Sequence, residues 1–223
     1  TRMIIVNSPH NPSGTIMSRE DLLQLQDIAE REDLLVVSDE VYEHLVFDGL
    51  QHHSVLQFPA LRARSFALFS FGKTFSVTGW KTGYCVAPPA LTAELRKVHQ
   101  FVSFVAVTPV QMAVADFLRE EPDYPATLAQ FYQRKRDLFC EALADSRFTL
   151  RPSTGTYFQL LDYSSITATP DQQLCEQWTR DKGIASIPVS VFYRAPPDQH
   201  YLRFCFAKSD EVLAAAGELL CRI

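Results

Sequence analysis

Residues 65–87 read SFALFSFGKTFSVTGWKTGYCVA. An apolar run, Ser65 to Ser70, is closed by Phe71-Gly72-Lys73, and a second apolar run begins at Gly83. Strand-like segments of this kind, broken by a glycine and a lysine, place a cation at a strand's carboxyl end. That is where open parallel sheets bind their ligands. The stretch leaves two readings for Lys73: a solvated surface charge or a nucleophile.

Working outward, LLVVS (34–38) is a continuous apolar run, as expected of a parallel strand covered on both faces. MIIV (3–6) reads as a short buried strand, and NSPHNPSG (7–14) as a loop rich in proline, asparagine and glycine. Ser18 is the expected N-cap of the next helix, with Asp21 in the capping-box position. Leu22, Leu25, Ile28 and Ala29 fall on one face of that helix. Its charges alternate in sign along REDLLQLQDIAERED, as on a solvated helix face.

Downstream, Pro88 and Pro89 open a helix over 90–105, a second spans 109–119, and a long one follows Pro125 to about residue 145. Beyond Ser146 the pattern changes. FTLRPSTGTYFQLLDY (148–163), IASIP (184–188) and HYLRFCFA (200–207) are strand-like, 171–182 is helical, and 210–223 is a closing amphipathic helix. The expectation is an α/β fold with a mostly parallel sheet, followed by a smaller α+β unit. The boundaries expected are 1–124 for the first domain, 125–145 for a connecting helix and 146–223 for the second domain.

With 223 residues, 47% of them hydrophobic, the chain can build a substantial core. A net charge of −5 gives no basic stripe for nucleic acid. No apolar run approaches the ~18 residues of a membrane span, so no membrane partner is expected. Cys85, Cys140, Cys175, Cys205 and Cys221 are scattered, without a C-x-x-C pair, which points to free thiols in a reducing, cytoplasmic setting. The six histidines lack ligand spacing, so no metal is assigned. The chain enters an apolar strand directly after Met3, which reads as a later part of a longer protein, without a cleavable leader.

Three successive strands thus deliver polar groups to one sheet edge: Asn7 to Gly14, Asp39-Glu40-Val41-Tyr42, and Ser70 to Lys73. Each has an ordinary explanation: a turn, a helix cap, an exposed lysine. Together they suit a cofactor bearing a pyridine ring, a phenolic oxygen, a phosphate and an aldehyde. That describes pyridoxal 5'-phosphate.

Here the chain resembles the class I/II aminotransferases, the pyridoxal-phosphate enzymes of fold type I, through NSPHNPSG, SDEVYEHL, SFGKTFSVTGWKTGY and YLRFCFA. The likeness covers the whole chain and is nearest to the methionine and kynurenine–glutamine branch. It implies a longer N-terminal half and a homodimer. It also implies transamination between an amino acid (methionine, aromatic or glutamine-like) and a 2-oxo acid.

By the same resemblance Lys73 is the Schiff-base lysine and acid–base catalyst, and Asp39 pairs with the pyridine nitrogen. Asn11 and Tyr42 donate to the phenolic oxygen, and Ser70 and Lys81 anchor the phosphate. Arg203, with Asn11, takes the substrate carboxylate. Many family members have arginine where this chain has Lys81, so the charge is kept and the bidentate fork is not. Gly155 resembles a loop near the substrate, while a plain hairpin turn explains it equally well. Trp80 and Tyr84 could line the site, with core packing the plainer reading. An ordinary interfacial lysine, a core phenol and a strand arginine beside an acid are the plain readings of Lys81, Tyr42 and Arg203. Two alternatives to transamination stay open at this stage: β-elimination from cysteine conjugates, and a non-catalytic binding module.

Overall fold

The computed structural model describes all residues, Thr1 to Ile223. They form two compact units. The first comprises residues 1–9 and 16–128, the second residues 10–15 and 129–223.

The first unit is built on strands β1 (Met3–Asn7), β2 (Leu35–Asp39), β3 (Ser65–Ser70) and β4 (Gly83–Val86), ordered β1-β2-β3-β4. β1, β2 and β3 run parallel, and β4 joins β3 antiparallel. The helices are α1 (Arg19–Arg31), the single turns α2 (Pro59–Arg62) and α3 (Phe71–Thr74), then α4 (Pro89–Val102) and α5 (Thr108–Glu120). Helix α1 starts where the sequence says it should. Ser18 Oγ accepts from Asp21 N–H at 3.1 Å, and the Asp21 carboxylate accepts from Ser18 N–H at 2.8 Å. Leu22, Leu25 and Ala29 of α1 pack with Leu34, Val36, Ala67 and Phe69 into one core.

Three expectations need correction here. Ile28 is 39% exposed, because it lies just off the stripe defined by Leu22, Leu25 and Ala29. β1 is not a buried strand. Ile4 and Val6 lean on the core, while Ile5, on the opposite side of the pleat, is 72% exposed. β2 likewise buries Val36 and Ser38 fully and leaves Leu35 and Val37 only half-covered, so its continuous apolar run overstates its burial within this chain.

The second unit contains the remainder of α6 (Tyr124–Ala142), whose Leu128–Ala129 step marks the division, and α7 (Asp171–Lys182) and α8 (Asp210–Cys221). Its sheet is β5 (Phe158–Asp162), β6 (Ile187–Pro188) and β7 (Tyr201–Cys205), antiparallel, with β7 central. The strand-like run 148–163 is real only from Phe158. Thr149 makes an isolated bridge to Asp162, and residues between them turn. α7 stops at Gly183, whose φ of +69° supplies the left-handed C-cap that glycine accommodates without strain. Phe139, Leu161, Trp178, Leu202, Phe206, Leu213 and Leu220 fill this unit's core. No helix of the chain is long and apolar enough to cross a membrane.

The loop 10–15 belongs to the second unit through backbone contacts. Gly14 O accepts from Thr154 N–H at 3.0 Å and Gly155 N–H at 2.8 Å. Gly14 has φ +69°, and a Cβ there would stand 2.5 Å from Ser153 Cβ, so both conformation and space require glycine.

Candidate active site

In the first unit the parallel register aligns Asn7 with Asp39 and Asp39 with Leu68, so β1 and β2 end level and β3 runs two residues further, to Ser70. Asp39 is fixed by its backbone. Its carbonyl accepts from Asn7 Nδ2 at 2.9 Å and from Ser8 N–H at 3.1 Å. Its carboxylate accepts from Val41 N–H at 3.3 Å. Burial raises the proton affinity of Asp39, opposed by the Val41 N–H and by the positive charge of Lys73, and reinforced by the charge of Glu40.

Lys73 sits in the one-turn helix α3, three residues past the end of β3. Its Nζ lies 5.9 Å from the centre of the Tyr42 ring, and Tyr42 is buried. Asp39, Tyr42 and Lys73 therefore converge at the carboxyl ends of β2 and β3. An acid that feels the charge of an amine, with a phenol ring beside that amine, forms a set able to hold a small aromatic aldehyde with a basic ring nitrogen. The surface-charge reading of Lys73 does not describe a half-buried amine in this company.

A Cβ at Gly72 would meet Thr78 Cα at 3.1 Å and Val77 O at 3.3 Å, so the glycine lets the turn fold against its own continuation. Ser70, the last residue of β3, pairs in register with Gly83. Gly72 N–H donates to Thr82 O at 3.3 Å, which ties the start of α3 to the segment that carries Lys81. Lys81 caps a short turn at 78–80 with φ +55° and is exposed. Ser70, Lys73 and Lys81 thus lie on one β3–β4 connection.

Trp80 and Tyr84 are not core residues, at 45% and 41% exposed. The Tyr84 ring stacks on Phe69 at 4.8 Å, and its hydroxyl donates to Glu43 Oε1 at 3.4 Å. Burial, with the charge of Glu43, pushes the Tyr84 phenol up to about 12.

In the second unit, Arg203 lies on the central strand β7, paired in register with Leu160 and Ile187. Its Nη1 donates to Asn11 Oδ1 at 2.6 Å, and its guanidinium lies 4.0 Å from the Phe158 ring centre and 5.6 Å from that of Phe192. It is therefore not an edge arginine. A planar guanidinium aligned by an amide oxygen and packed on aromatic rings is chemically suited to a carboxylate. Gly155 forms part of the turn braced on Gly14.

The sequence reading passed over a buried acid beside Asp39. Glu40 is 1% exposed and pairs with His52 Nε2 at 2.8 Å. The available signal was the doubled acid of SDEVYEHL, where one carboxylate must face the opposite side of the strand from the other.

The family described as aminotransferase class I and II matches residues 1–219. The methionine aminotransferase of Escherichia coli is 47% identical over 220 residues, which cover 99% of this chain and 57% of that protein. Human kynurenine–oxoglutarate transaminase 1 is 33% identical, with 99% of this chain and 57% of that protein covered. Among solved structures, an E. coli protein whose crystal structure and reactivity identify a methionine aminotransferase function superposes with a TM-score of 0.96 at 46% identity, covering all of this chain and 59% of that one. A Thermus thermophilus aspartate aminotransferase variant superposes at 0.87 and 27% identity, covering all of this chain and 56% of that one. The chain thus spans about 57% of the length of the curated relatives it matches. The fold is that of the fold-type I aminotransferases, whose cofactor is pyridoxal 5'-phosphate, and the convergent acid, phenol and amine of the first unit suit that group. With the family description matching nearly end to end and the fold agreeing throughout, this chain belongs to the class I and II aminotransferases.

Proposed function

We propose that the protein transaminates an amino acid against a 2-oxo acid, with methionine as the leading donor and aromatic or glutamine-like amino acids as further candidates. The convergence of Lys73, Asp39 and Tyr42 carries this reading. The relatives named for methionine and kynurenine support the substrate class.

When bound, pyridoxal phosphate supplies an electron sink for the substrate's α-carbon. Lys73 Nζ would hold the group covalently, and its amine would carry the proton away from the substrate's α-carbon, acting as a base and then as an acid. Asp39 would hold the ring nitrogen protonated; burial raises its own proton affinity, opposed by the Val41 N–H and by the positive charge of Lys73. Tyr42 donates to the phenolic oxygen, and Asn11 is assigned the same role. Ser70 contributes a hydroxyl and Lys81 a charge to the phosphate. Arg203, aligned by Asn11, takes the α-carboxylate. The five cysteines, all free, support a reducing, cytoplasmic setting, and a homodimer is the proposed assembly.

The test is the absorbance spectrum of the full-length protein with pyridoxal phosphate. A visible band that disappears in Lys73→Ala, and that bleaches on adding methionine without an oxo acid, supports the reading. A wild-type protein that stays colourless with cofactor overturns it.

A further inference from the structure

Glu40 follows Asp39 directly, yet it faces the opposite way and is almost completely withdrawn from water, at 1% exposed. A carboxylate in that position is tolerable only when its oxygens are compensated. Oε1 accepts from Ser38 Oγ at 2.9 Å and from Val55 N–H at 3.1 Å. Oε2 faces His52 Nε2 at 2.8 Å. His52 Nδ1 is buried with no hydrogen-bond partner, so the proton of a neutral ring belongs on Nε2, which donates to Glu40. The backbone of Glu40 is fastened as well. Its N–H donates to Leu68 O at 2.9 Å, and its carbonyl accepts from Glu43 N–H at 2.9 Å.

This matters because the carboxylate of Asp39 has a long local contact, the 3.3 Å bond from Val41 N–H. Its aim is therefore inherited from the backbone, which is gripped on one side by Asn7 and Ser8 and on the other by Glu40. The negative charge of Glu40 works against ionisation of Asp39, so any benefit that it brings to Asp39 is geometric. His52 and Val55 join that geometry to the segment 52–57, a part of the chain that carries none of the site residues.

We propose that Glu40 and His52 are positioning residues: a buried acid–imidazole pair that locks the end of β2 and so sets how firmly Asp39 grips the cofactor's ring nitrogen. The inference rests on the proposed cofactor role of Asp39. The titratable groups facing the pair are Asp39 itself, Glu43, His44 and Tyr84, with Glu43 bonded to the last two.

The experiment uses full-length protein reconstituted with pyridoxal phosphate. It measures the cofactor dissociation constant and the pH midpoint of the visible band for wild type, Glu40→Ala, Glu40→Gln and His52→Ala. Glu40→Gln keeps Oε1 for Ser38 and Val55, and its amide nitrogen can donate to His52 Nε2 once the ring proton moves to Nδ1, so it should stay within about threefold of wild type. Removing one partner of a buried hydrogen-bonded pair should raise the dissociation constant about tenfold or more in Glu40→Ala and His52→Ala, and should move their band midpoints. If these two variants merely melt earlier, with affinity and midpoint unchanged, the positioning role is overturned. If Glu40→Ala does not fold, Glu40→Gln and His52→Ala decide on the same two readings. A wild-type protein without a band that depends on Lys73 overturns the functional assignment, and this inference with it. A wild-type band combined with unchanged variant affinities overturns the inference alone.

Discussion

Glu43→Gln should stabilise the protein above neutral pH and leave it nearly unchanged in mild acid. The Glu43 carboxyl is 22% exposed and lies 3.4 Å from both the Tyr84 hydroxyl and His44 Nε2. Burial pushes it up from 4.5 to about 7, helped by the negative charge of Glu40 and opposed by His52 and the Tyr84 hydrogen bond. The folded chain therefore binds this proton more tightly than the unfolded chain does. Such a group contributes its full stability below the unfolded value of 4.5, and the contribution drains away as pH rises through about 7. At ~1.4 kcal/mol per pH unit, the interval sets a ceiling of about 3.5 kcal/mol; allowing for the solvent that reaches the carboxyl, we expect about 2 kcal/mol. Glutamine cannot ionise, so the variant escapes this loss. Thermal unfolding of wild type and variant, from about pH 5 to about pH 8, should show melting points that separate as pH rises, by roughly 4–8 °C at the alkaline end. A constant difference across that range would refute the reasoning, because a side chain that merely packs has no reason to follow the pH.

Two further outcomes are expected. Arg203→Lys should raise KM for the amino acid by roughly 10- to 100-fold with a smaller change in kcat, since lysine loses the fork and the alignment by Asn11; unchanged steady-state kinetics would remove Arg203 from carboxylate recognition. Gly14→Ala should cost on the order of 2–3 kcal/mol, read as a melting point lower by several degrees, because it combines a left-handed φ of +69° with a Cβ 2.5 Å from Ser153 Cβ; an unshifted melting point would show that the turn can yield.

Local signals were the legible part of the fold. The capping box at Ser18 and Asp21, the paired prolines before α4 and the glycine after α7 each depend on a few neighbouring residues, and each marks a real helix boundary. That β1, β2 and β3 bring their carboxyl ends to one edge followed from the order of the strands. What pattern could not supply was how much of each strand is covered. Ile5 and Val36 look alike in sequence, and only the packing of α1 separates 72% exposure from complete burial. The same limit applied to the site. Chemistry at strand ends singled out Asp39 and Lys73, because an acid and an amine there demand partners. The pair of Glu40 with His52 joins residues twelve apart across a turn, and no periodicity links them. The roles of Asn11 and Arg203 rested on resemblance alone; that they bond to each other over a separation of 192 residues is a fact of three dimensions.

The pairing of Ser70 with Gly83 bears on any attempt to redesign this region. A Cβ at position 83 would stand 2.3 Å from Phe69 O and 3.4 Å from Ser70 Cα, so no other residue fits opposite the serine while β3 and β4 stay joined. A mutagenesis library that varies position 70 should hold 83 fixed, because any side chain at 83 collides with the β3 backbone. Under the proposed phosphate roles of Ser70 and Lys81, altered anion preference is to be sought at those two positions, with the facing glycine left as it is.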